Sequence, residues 1–93
     1  MAKIFICKAE NKADIKVFEV KYDSHADLIV WIEDYESHAK GDEKWFFVDS
    51  ENQADSKIFY VKNENQADLK IFFAKYDSHA KWKKQHKLRG RIG

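Results

Sequence analysis

Apolar positions along this chain come in short bursts at a fixed interval. An alanine anchors each interval: Ala13, Ala26, Ala39, Ala54, Ala67 and Ala80, at spacings of 13, 13, 15, 13 and 13. The long interval holds Gly41 and Asp42, a two-residue insertion. An alanine kept in register marks a crowded position where a larger side chain would clash. Four of these alanines precede an aspartate (Asp14, Asp27, Asp55, Asp68); the other two precede Lys40 and Lys81. Each except Ala80 is followed by a short apolar, aromatic-rich run, and Lys3–Cys7 supplies one more. Such runs are too short for a free-standing helix and rich in Val, Ile, Phe, Trp and Tyr, so they predict strands. The six fall near 3–7, 15–21, 28–33, 44–49, 57–62 and 69–75.

Alternation within the runs gives two faces. One carries Phe5, Phe18, Trp31, Phe46, Phe59 and Phe72; the other carries Ile4, Val17, Val30, Trp45, Ile58 and Ile71. Both are apolar at mid-strand, so neither can be wholly solvated. The aromatic column reads as core more readily than as a ligand-binding face. Cys7 falls on the same side and reads as a buried structural thiol.

The connectors are unusual for a β protein. There is no proline, and glycine occurs only at 41, 90 and 93, so the Asn-Gly or Asp-Gly of tight hairpins is missing. Segments such as Tyr22-Asp-Ser-His25 and Asn63-Glu-Asn65 instead predict a single capped helical turn. A connector of that length carries the chain away from the strand just finished, which argues against a simple meander. The halves repeat as well: residues 12–40 align without gaps on 53–81. The expected fold class is therefore β-rich α+β: six short strands, one-turn helical connectors, a 13-residue tandem repeat and pseudo-two-fold halves.

Composition adds limits. Ninety-three residues fit one domain, 1–93, with a small core. Cys7 is alone, so no intramolecular disulfide forms, and a reducing cytoplasm is the expected location. No apolar stretch approaches spanning length, so no membrane association is expected. The net charge of +1 hides an asymmetry, because the basic segment 81–93 contains six Lys and Arg residues and no acid.

That segment holds the candidate nucleic-acid contacts: Lys81, Trp82, Lys83, Lys84, Lys87, Arg89 and Arg91, cations for phosphate and an indole for stacking. The competing reading, which we rank first, folds the tail against the acidic body with Trp82 as its anchor. His25, His38 and His79 share one repeat position, but Gln53 and Gln66 also occupy it, so hydrogen bonding suffices there and no metal is expected. The four repeated aspartates suit bonds to backbone N–H groups, because acid–base catalysis needs carboxylates whose environments differ. No catalytic residue and no cofactor is expected.

The unit Gln66-Ala-Asp-Leu-Lys-Ile-Phe-Phe-Ala-Lys-Tyr-Asp-Ser78, the early Ala2-Lys-Ile-Phe5 and the Gly90-Arg91 ending resemble a family of small bacterial proteins of unknown function. The resemblance covers nearly the whole chain. It implies a septoil knot, a deep seven-crossing torus knot in which the chain circles twice, as a compact monomer of short strands and helical turns. It carries no assigned activity. The expectation for function is a non-enzymatic, unfolding-resistant structural domain; the alternative is a module binding nucleic acid or an acidic protein through the tail.

Overall fold

A computed structural model describes residues 2–93. Six strands form in the expected places: β1 (Ala2–Ile6), β2 (Ile15–Glu19), β3 (Leu28–Ile32), β4 (Lys44–Phe47), β5 (Ser56–Tyr60) and β6 (Leu69–Phe73). Each connector contains one three-residue 3-10 turn, the first over Glu10–Lys12 and the last over Asp77–His79. The helical turns agree with the sequence, but the capping does not. The residue before each turn (Ala9, Tyr22, Tyr35, Ser50, Asn63, Tyr76) is extended and gives no side-chain cap. A 3-10 turn of three residues closes on its own backbone: the anchor alanine donates its N–H to the carbonyl three residues earlier, as Ala26 does to Asp23 at 3.1 Å. A seventh strand, β7 (Lys81–Trp82), lies in the tail, where the sequence has no strand-like run. It pairs antiparallel with the start of β3 through Leu28↔Trp82 and Ile29↔Lys81.

The order β4-β1-β5-β2-β6-β3 closes on itself through a short β3–β4 pairing, giving a six-stranded barrel with all pairs parallel. Consecutive strands are mostly not neighbours. The chain steps from β1 past β5 to β2, and from β2 past β6 to β3; the second half then lays β5 and β6 into the gaps left by the first. This is the arrangement of two interleaved circuits. Around the barrel the register slips by roughly 12 residues, twice the strand number, which tilts the strands steeply and widens the interior.

Two layers of side chains fill that interior. Ile4, Val17, Val30, Trp45, Ile58 and Ile71 are completely buried. Ala2, Ile15, Leu28, Ser56 and Leu69 form the layer at the strand starts. The aromatic column, which the sequence placed in the core, is the outer face instead. Phe5, Phe18, Trp31, Phe46, Phe59 and Phe72 are all half-buried. Branched aliphatic side chains fit the inside of a narrow barrel, and the larger rings are left to the wider outer layer.

Each repeated aspartate clasps the next strand. Asp14 donates its N–H to the Lys57 carbonyl at 2.8 Å, and the Lys57 N–H donates back to Asp14 Oδ2 at 3.0 Å. Asp27 with Lys70, Asp55 with Lys3 and Asp68 with Lys16 do the same. The carboxylate thereby extends each parallel ladder by one bond where the strand begins. This is the structural use the repetition predicted.

Candidate functional site: the C-terminal segment

Repeat four lacks a clasping aspartate at the usual place, and its insertion supplies Asp42 instead. Asp42 is buried, and its carboxylate gathers the tail. Oδ1 accepts from Ile92 N–H and Gly93 N–H, both at 3.0 Å; Oδ2 accepts from the Trp82 indole at 3.1 Å and from Gly90 N–H. Its own carbonyl takes the Trp45 indole N–H at 2.6 Å, tying the insertion to the core. Burial pushes the carboxyl up, but the Gly90, Gly93, Ile92 and Trp82 donors together outweigh it and hold Asp42 below the ordinary value of 3.8.

The end of the tail enters the barrel. Ile92 is 1% exposed and joins the main core. It can do so because two of the strand-start positions are small: Ala2 and Ser56, where three of the other repeats carry Ile15, Leu28 and Leu69. The Ser56 hydroxyl donates to the Ile92 carbonyl at 2.7 Å. Gly90 turns the chain into this position with φ +82, a conformation that disfavours any residue with a Cβ.

The sequence-predicted site residues separate into two groups here. Trp82 is half-buried against the core, bonded to Asp42 and stacked on His86 with ring centroids 5.6 Å apart. Lys81, Lys83, Lys84, Lys87, Arg89 and Arg91 are exposed. The tail does fold back on the body, as expected, but charge is not what fastens it. Of its cations, Lys84 comes within 4.0 Å of the Asp27 carboxylate, and His86 Nε2 lies 3.8 Å from the same group. The Lys84 end of the first contact is exposed, and pairs of that kind contribute little. Backbone N–H groups on Asp42 and an apolar plug hold it instead. Asp42, Ser56 and Ile92 escaped the sequence reading. The available signals were the two-residue insertion and the two small residues at strand starts.

The remaining candidates stay apart. His25, His38 and His79 lie on separate turns, each edge-on to the tyrosine of its own connector: Tyr22, Tyr35 and Tyr76. Among the described residues, no cluster of three or more His, Cys, Asp or Glu is placed to hold a metal ion. Cys7 is buried just beyond β1, and burial followed by the Glu51 charge pushes its thiol up, away from the reactive thiolate. Among the described residues, no helix is long and apolar enough to cross a membrane.

No curated protein and no solved structure was found to match. A family model described as the 7(1) septoil knot domain matches residues 1–83, which span all seven strands. The chain therefore belongs to the septoil knot domain family.

Proposed function

We propose that this protein is a compact structural domain that resists forced unfolding and has no catalytic role of its own. The observation that carries this reading is the pairing of distant strands. β5 sits between β1 and β2, and β6 between β2 and β3, so registers run between residues 52 apart (Ile4↔Ser56) and 43 apart (Ile15↔Ile58). Pulling the C-terminus can strip only the two-residue β7 from an edge; the six barrel strands are each paired on both sides. A closed barrel also has few free edges, which supports a monomer. The single buried cysteine suits a reducing cytoplasm.

The test is degradation by an ATP-driven unfoldase–protease, with the recognition tag placed at either end in turn. An unknotted β-barrel of equal thermal stability serves as the control. The expected result is slower degradation from both ends, with trimmed fragments that persist. Degradation at the control's rate from both ends would overturn the reading.

A second reading draws on one observation: the six tail cations stay exposed while Trp82, Leu88 and Ile92 turn inward. That leaves a basic surface for phosphate backbones or an acidic protein, without an indole free to stack. Binding to a single-stranded oligonucleotide should weaken steeply as salt rises, with log K falling linearly in log salt. No binding at low salt would remove the nucleic-acid form of this reading.

A further inference from the structure

Beside the tail lies an open groove of about 420 Å³ between β3, β6, β7 and the last 3-10 turn. Its floor is apolar, formed by the half-buried Phe72 and Ala74 over Ile29, which is 4% exposed. Its rim carries Lys75, Lys81 and Lys83 against a single acid, Asp23. The size lies within the range of small-molecule sites, and the lining has their usual form of apolar walls with a few polar groups.

The repeat itself shows that this groove departs from the pattern. Five repeats carry lysine at one outer-face position: Lys3, Lys16, Lys44, Lys57 and Lys70. The sixth carries Ile29. Three of those lysines lie near a glutamate of the preceding turn, as Glu10–Lys16, Glu51–Lys57 and Glu64–Lys70 at 4.0, 3.4 and 4.0 Å. Where Ile29 replaces lysine, Asp23 in the glutamate's place loses that partner.

The same strand pairing occurs elsewhere in the barrel with the lysine in place. The strand pair β6–β3, with Phe72 beside Ile29, is repeated by β1–β5, with Phe5 beside Lys57. A second groove occurs there, lined by Phe5, Cys7, Lys8 and Glu51, and it holds about 220 Å³. Lys57 and Glu51 bridge that copy of the site. The larger first copy lacks the lysine, and the tail adds Lys81 in β7 and Lys83 just after it, which the second copy does not have.

We propose that the Ile29–Phe72 groove binds a planar aromatic anion, the chemistry shared by a mononucleotide and an aryl carboxylate. The ring lies on Phe72, which the buried Ile29 backs, and the anionic group faces Lys75, Lys81 and Lys83. Three cations against one carboxylate exclude an aromatic cation, and the apolar floor selects against a bare inorganic ion.

Backbone amide NMR of the full chain tests this with AMP, naphthalene-1-carboxylate and the neutral naphthalene-1-carboxamide, each at millimolar concentration. The expected result is saturable shifts at Ile29, Phe72–Lys75 and Lys81–Lys83 with at least one anion, and weaker binding of the carboxamide. Binding by AMP alone would assign the site to nucleotides, and binding by both anions to aromatic anions in general. Ile29→Lys restores the residue that the other repeats carry and should weaken binding by about tenfold or more. Lys81→Glu with Lys83→Glu tests the charge by a route independent of the floor, so a misfolded Ile29→Lys would still leave a decisive variant. The proposal fails if neither anion shifts these amides, if the carboxamide binds as tightly as the carboxylate, or if both folded variants bind like the parent.

Discussion

Asp42 is a residue on which burial and hydrogen bonding pull in opposite directions, and bonding wins. Four donors converge on one carboxylate, three of them backbone N–H groups of the tail. Asn at this position keeps the shape but presents an NH2 group to donors that need an acceptor. Asp42→Asn should therefore cost roughly 3 kcal/mol, the range for leaving charged or buried bonds unmade. Urea or thermal unfolding measures it, and a change below about 0.5 kcal/mol would show that the tail holds without this carboxylate. The pH dependence has a definite sign. The folded-state value lies below 3.8, so between the two values the unfolded chain binds the extra proton. The stabilisation is present above the ordinary value and is lost as pH falls through the folded one. Asp42→Asn should flatten that part of the acid-stability curve, whereas a variant at an exposed acid such as Asp49 should leave it unchanged.

At the scale of elements, the tail is a plug with a seat prepared for it. Ile92 fills the space left by Ala2 and Ser56, so its loss leaves a cavity in the main core. Ile92→Ala should destabilise by about 3 kcal/mol, within the range for large-to-small core changes. Hydrogen exchange should show the loss first at β1 and β5, the strands that carry Ala2 and Ser56; protection unchanged there would contradict the plug. The same elements explain what was legible beforehand. Strand positions followed from alternation, because each strand repeats one local pattern that no neighbour overrides. Which face lies inside did not follow, because both faces are apolar and only closure of the barrel distinguishes them. The tail strand Lys81–Trp82 was hidden for a related reason. Two residues carry no periodicity, and they pair only because β4 leaves the start of β3 unpartnered. Asp14, Asp27, Asp55 and Asp68 were read correctly as structural, since identical residues at identical places do one job. Asp42, Ser56 and Ile29 depart from the repeat, and each departure makes room for something: the tail's N–H groups, Ile92 and the groove.

The whole molecule sets the order in which these elements can assemble. Five of the six parallel pairings in the barrel join residues 43 or 52 apart, and one, Trp31↔Lys44, joins residues only 13 apart. Loop-closure entropy favours the short connection, so the β3–β4 pair is the natural place for structure to begin. The long-range pairs must follow, and β5 and β6 must enter gaps between strands already placed. Folding should be slow for a chain of this size, with a half-time of roughly seconds or longer in water, as expected when distant pairings dominate. Two conservative substitutions separate the early contacts from the late ones. Ile32→Val sits on the β3–β4 pair and should mainly slow refolding; Ile4→Val sits where β5 docks on β1 and should mainly speed unfolding. Stopped-flow folding and unfolding arms, followed by tryptophan fluorescence, distinguish the two. The reverse assignment would mean that the distant strands meet first, with the chain threaded before its one local pairing has formed.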